Sequence, residues 1–150
     1  MRVTLVPCDP AANASESRAF EFLKTRLQSQ AGNGCWFLLS NLTFSVNHQA
    51  LAEEIDLVAI GPPGVRVVEI KHWSVAWMEN NPRDIETEAQ ELNAKARKLA
   101  TTLRRTVPEL PLVEPVFLLT REQPKGRIDK IRPVLGVPFF TLPQWSELYC

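Results

Sequence analysis

Two carboxylates and a lysine, Asp56, Glu69 and Lys71, fall within one short stretch of this chain. Residues 54–60 read as an alternating strand, with Glu54 and Asp56 on one face and Ile55 and Leu57 on the other, Gly61-Pro62-Pro63-Gly64 is a turn signal, and residues 65–71 form a second extended run. A hairpin centred on Pro62-Pro63 sets Ile60 opposite Val65, Val58 opposite Val67, Asp56 opposite Glu69 and Glu54 opposite Lys71. Loops of two or four residues are both symmetric about that centre, so either gives this register. Val65, Val67, Glu69 and Lys71 then share one face, with Arg66, Val68 and Ile70 on the other and Ile55 beside Leu57. Carboxylates directly opposite one another repel, and the valines on their face predict at least partial cover. One remedy is Lys71 on the same face. The other is a divalent cation between the two acids, completed by water and phosphate oxygens. Two readings therefore stand open: a solvent-facing hairpin screened by Lys71, or a site where a bound ion activates water and neutralises charge on a phosphodiester.

The surrounding elements must position that hairpin. Ser15 is a good helix cap, Glu16 and Glu21 suit the positive end of a helix dipole, and Phe20, Leu23 and Leu27, widened by Phe22, predict a helix over 15–29. Residues 35–46 read as one long or two short strands, and 73–77 as a short one. Ala89, Leu92, Ala96, Leu99 and Leu103 mark an amphipathic helix over 84–106, with Glu91 and Lys95 as an i, i+4 pair. Pro108 and Pro111 stop it. A buried-type strand over 113–120, a polar basic connection over 121–132, a short strand over 134–140 and a terminal helix over 142–149 follow, the last introduced by Thr141 and Pro143. The core order is α-β-β-β-α-β, an α/β domain with helices covering a mixed central sheet. At 150 residues the chain predicts one domain, over 14–150, behind an extension over 1–13.

With 45% hydrophobic and 23% charged residues the composition is that of a globular protein. The formal net charge is zero, but residues 95–132 carry 10 basic and 4 acidic side chains. Lys95, Lys98, Arg104, Arg105, Lys125 and Arg127 are the candidate phosphate contacts there; a merely solvated surface is the alternative. No apolar run reaches the roughly 18 residues of a membrane span, and the first residues lack a signal-peptide core, so the cytoplasm is the expected location and no membrane partner is expected. Cys8, Cys35 and Cys150 fit neither a disulfide framework nor a zinc site. His72 points away from Lys71 and is expected to pack, His48 to be solvated, and Trp73 and Trp77 to be buried. No nucleophile–base pair of the triad type is evident.

Asp56 followed by Glu69-Ile70-Lys71 resembles the D…E-x-K signature of restriction-endonuclease-like nucleases. More specifically, "SESRAFEFLK", "EIDLVAIGPPGVRVVEIKHWS" and "VEPVFLLT" resemble the first helix, central hairpin and later strand of the nuclease-related domain (NERD) family, over most of residues 14–120. The resemblance implies a restriction-endonuclease-like core and a metal-dependent domain that hydrolyses DNA in bacterial defence or DNA processing. Asp56 and Glu69 would be ligands to Mg²⁺ or Mn²⁺, Lys71 would act on the water or the phosphorane charge, and Glu16 would be a further acid at the site. DNA, or RNA, would be the partner. Val75 stands where a glycine commonly follows Trp-Ser, and Gln90 matches only loosely the glutamine near the start of the long helix. "KARKLATTL" and "VEPVFLLT" look closer to NERD domains that precede serine/threonine kinases in phage defence. That likeness implies a second reading: a non-cleaving nucleic-acid sensor joined to a kinase domain in the same parent chain. No kinase motif occurs here.

Overall fold

The computed structural model describes residues 2–8, 14–29, 35–45, 51–124, 126–127 and 131–148. In chain order the elements are β1 (Arg2–Pro7), α1 (Ala14–Ser29), β2 (Cys35–Phe44), β3 (Glu53–Gly61), β4 (Gly64–Lys71), α2 (Val75–Asn80), α3 (Pro82–Arg104), β5 (Val113–Leu119), β6 (Phe139–Thr141) and α4 (Leu142–Leu148). The strands form one mixed sheet in the order β1-β2-β3-β4-β5-β6. β2, β3 and β4 are antiparallel neighbours, whereas the β1–β2, β4–β5 and β5–β6 pairs are parallel. This is the mixed sheet with flanking helices that the sequence predicts.

Each face of the sheet carries its own apolar layer. Under α3 lie Val58, Val65, Val67, Phe117 and Leu119, met by the helix stripe Ile85, Ala89, Leu92, Ala96 and Leu99. The 3.6-residue period makes that stripe continuous, and each fully buried leucine contributes roughly 1.5–3 kcal/mol. On the other face Leu38, Leu57, Ala59, Val68 and Leu118 pack against Ala19, Phe20 and Leu23 of α1 and Trp145 of α4. Pro82 at the first helical position, Asp84 in the first turn and Arg104 in the last suit the ends of α3. At α4, Gln144 N donates to Thr141 Oγ1 at 3.4 Å while Thr141 N donates to Gln144 Oε1 at 3.0 Å, a reciprocal cap. No helix among the described residues is long and apolar enough to cross a membrane.

Three elements differ from the sequence expectation. Residues 73–77 are not a strand: Ser74, at φ −87° and ψ 154°, caps α2 by accepting from Trp77 N at 3.1 Å. The cap outweighs the β propensity of the two tryptophans, which stack at 5.1 Å as an i, i+4 pair. Within the expected extension over 1–13, Arg2–Pro7 is the edge strand, in register from Arg2↔Cys35 to Pro7↔Ser40. A six-residue parallel strand is selected by its neighbour and leaves little local signal. Finally, the strand over 134–140 shrinks to Phe139–Thr141, preceded by a Val134↔Val137 bridge around Leu135 and Gly136, both at positive φ. Cys8 and Cys35 are free and exposed, while Cys150 and His48 lie outside the described residues.

Trp36 is 1% exposed beneath the end of the hairpin, and a Cβ added at Gly61 would overlap its indole ring. The ring is too tightly held to yield. Gly61→Ala is therefore expected to destabilise the fold by about 2 kcal/mol, read as a lower urea midpoint at unchanged m-value. A midpoint equal to that of the wild type contradicts this packing.

Candidate active site

The hairpin register is the symmetric one, from Gly61↔Gly64 through Ile60↔Val65 and Val58↔Val67 to Leu57↔Val68. There the paired segment ends. Asp56 and Glu69 do not continue as ladder partners; instead the Ile70 amide donates to Asp56 Oδ2 at 2.8 Å. In an unbroken ladder that amide would point at the backbone near Ile55. The cause lies partly in β2. Its pairing with β3 passes from Ser40↔Leu57 to Leu42↔Ile55, and Asn41, opposite Asp56, has φ 52°. Side-chain alternation changes phase at this level. Leu57 belongs to the α1-side layer, but Ile55 belongs to the α3-side layer, contrary to the shared face that simple alternation assigns them. Asp56 thus sits where the strands part and neither layer claims its side chain.

Glu69 follows the predicted alternation onto the α3 side with Val65 and Val67. Lys71 Nζ lies 3.7 Å from its Oε1, and Lys95 Nζ lies 3.8 Å from its Oε2. Both separations exceed hydrogen-bond length, and Oε2 is buried without a hydrogen bond. Burial, followed by the Asp56 charge, pushes the Glu69 carboxyl up to about 7, against the opposing pull of Lys95 and Lys71. Asp56 is also raised, first by burial and then by Glu16, against the Ile70 amide and the two lysines. Glu16 itself is 6% exposed in the first turn of α1. The three acids therefore share one field, approached from both sides of the sheet.

Lys71 is fixed by Glu88 Oε2 at 3.2 Å and by the Trp73 ring, whose centroid lies 5.2 Å from Nζ. Glu88 is a member that sequence reading missed, and Lys95, expected as a phosphate contact, is instead turned toward Glu69. Lys95 does not lie on the outer surface of α3; it reaches inward to Glu69. A signal existed, since both residues border the apolar stripe two helical turns apart, but helical spacing alone cannot show what a border residue meets. Gln123 is another missed contributor: its amide accepts from Val75 N at 3.0 Å and donates to Trp73 O at 2.8 Å, tying down the segment after Lys71. His72 is exposed rather than packed, with Nδ1 3.0 Å from Thr120 Oγ1. Trp77 is 37% exposed.

The basic candidates disperse. Lys98 pairs with Glu53, Arg104 and Arg105 are exposed at the far end of α3, roughly 14 Å beyond Lys95, and Arg127 borders a separate apolar cleft beside Val75 and Met78. Lys125 lies outside the described residues. Among the described residues no three His, Cys, Asp or Glu side chains converge as a ready-made metal cluster. The donor set still fits a hard cation: two raised carboxylates, one with an unbonded buried oxygen, supply the one or two protein ligands that Mg²⁺ takes beside water and phosphate.

A family model for the nuclease-related domain matches residues 11–120, and the chain belongs to that family, NERD. The matched span contains every acid and lysine of the site. No curated protein matches the chain closely enough to add a relative.

The raised Glu69 carboxyl has a stability consequence. Unfolded, it ionises near 4.5, and folded, near 7. Between those values the folded state holds a proton that the unfolded state has released, so stability falls as pH rises through the window and levels off above it. Glu69→Gln mimics the protonated form. Relative to wild type it is expected to gain about 3 kcal/mol between acidic and mildly alkaline pH, measured by urea unfolding. An advantage that stays constant with pH removes Glu69 as a buried acid of raised pKa.

Proposed function

We propose that this NERD domain is a metal-dependent phosphodiester hydrolase acting on DNA. The observation that carries the reading is the pair of largely buried carboxylates, Asp56 and Glu69, held at raised pKa beside Lys71 where β3 and β4 part. Such a pair is costly unless something positive comes to it, and the two lysines near it leave the cost standing. A divalent ion held by Asp56 and Glu69 would supply charge neutralisation at the phosphate and a bound water of lowered pKa.

The chain's own groups divide the remaining work. The Ile70 amide orients the Asp56 carboxylate by holding Oδ2, leaving Oδ1 as the second oxygen to offer. Glu69 presents Oε2, which has no hydrogen bond to lose. Lys71, steered by Glu88 and Trp73, directs an ammonium N–H at the attacking water or at a phosphate oxygen gaining charge. Lys95 offsets excess negative charge from the α3 side, and Glu16 adds a third acid from the α1 side. Arg104, exposed in the last turn of α3, is a cation for more distant phosphates.

Lys71→Ala is expected to lower Mg²⁺- or Mn²⁺-supported cleavage of plasmid and oligonucleotide DNA by on the order of a hundredfold, with its circular dichroism spectrum unchanged. Unaltered cleavage removes Lys71 from the mechanism. Absence of cleavage by wild-type protein across DNA forms with either ion overturns the hydrolase reading.

A further inference from the structure

The parallel strands β4, β5 and β6 end level with one another, at Lys71, Leu119 and Thr141. On the face covered by α1 and α4 their carboxyl ends open into a cleft of about 540 Å³. Its walls carry Arg18 from α1, Arg121 just after β5, Thr120 and Thr141, and the apolar Phe22 and Leu142. Ligands of open α/β sheets bind outside such strand ends. Neither arginine is among the phosphate contacts suggested by the basic run along the sequence.

The cleft is tied to the carboxylate site through backbone. Thr120 N donates to Lys71 O at 3.0 Å, and Arg18 Nη2 donates to Thr120 O at 2.6 Å. Arg18 is thereby anchored to a residue that sits one strand spacing, roughly 4.8 Å, from the strand that carries Glu69 and Lys71. The anchor uses one of its five N–H groups and leaves the rest of the fork for a ligand. Arg121 is exposed, and Glu122 is the one carboxylate among the residues lining the cleft, so cations prevail there. Glu16, two residues before Arg18 in the first turn of the same helix, acts on Asp56 from the opposite side of that turn, so the cleft and the acids meet at the amino end of α1. Two guanidinium groups beside an apolar, aromatic wall match a nucleotide: phosphate at the fork, sugar and base against Phe22 and Leu142.

The geometry points to this cleft as the seat of an unpaired nucleotide adjoining the scissile phosphate, with Arg18 and Arg121 gripping its phosphate. It follows that the preferred substrate is a single-stranded or end-frayed DNA strand, because a base stacked inside a duplex cannot enter a concave cleft. This inference rests on the reading of the domain as one that acts on DNA.

The test is fluorescence anisotropy with a labelled single-stranded DNA of about 15 nucleotides and the matching blunt duplex, in Ca²⁺, over a salt series. Wild type is expected to bind the single strand about tenfold more tightly than the duplex. Arg121→Glu should weaken single-strand binding about tenfold and reduce the slope of log affinity against log salt by about one, as loss of a phosphate contact requires. Arg18→Lys, which keeps the charge and loses the fork, should weaken it severalfold. Arg83→Glu, the same charge change on exposed α3 surface, should leave it unchanged. Equal affinity for the two DNAs, or wild-type binding by Arg121→Glu, overturns the inference even if Lys71-dependent cleavage is found. Arg121-dependent binding with no cleavage in Mg²⁺ or Mn²⁺ upholds the cleft and overturns the hydrolase reading instead.

Discussion

Everything distinctive about this domain follows from one exchange of hydrogen-bond partners. At Leu57↔Val68 the β3–β4 ladder stops, and the Ile70 amide turns from backbone to the carboxylate of Asp56. The exchange satisfies a buried donor while pulling an acid into the sheet, so backbone completeness is kept at an electrostatic cost. Burial first, and then the charge of Asp56 beside it, keep Glu69 on the neighbouring strand from ionising freely, and its carboxyl rises to about 7. Lys71, Lys95 and Glu88 are arranged around that strain, with Lys71 shared between Glu69 and Glu88. The lysines stand close enough to moderate the repulsion and too far to hydrogen-bond it away.

The two apolar layers make such a site tolerable. Each is complete without the charged residues: the stripe of α3 on one face, and α1 with Trp145 on the other. Asp56 and Glu69 occupy the edge where neither layer closes, and both stay partly exposed there. That placement explains why groups from opposite faces act on the same carboxyl. Glu16 approaches from α1, and Lys95 from α3. A site inside either layer could receive only one of them.

The scatter of the basic side chains also becomes intelligible. A cluster of cations along a sequence segment is not a cluster in space. Lys95 and Lys98 are engaged by Glu69 and Glu53, and Arg104 lies roughly two and a half turns beyond Lys95. Arg18 and Arg121, separated by most of the matched domain in sequence, line one cleft because β5 ends beside the first turns of α1.

By itself the sequence determined the hairpin. A Gly-Pro-Pro-Gly turn symmetric about its two prolines gives the same register for a loop of two or four residues, and Glu69 and Lys71 then share a face with Val65 and Val67. The 3-4 spacing likewise determined which stripe of α3 is buried, and "SESRAFEFLK" placed Glu16 at the start of α1. These are short-range matters, decided by dihedral preference and period. Tertiary structure alone decided where the hairpin ladder breaks, because the break depends on Asn41 in β2 and on which amide Asp56 meets. It also decided that Lys95 turns inward, that β1 joins the sheet, and that Ser74 caps a helix whose position Gln123 secures from 50 residues away. Each of those outcomes balances a local preference against a partner distant in sequence, and the partner's energy enters only when the chain has brought the two together.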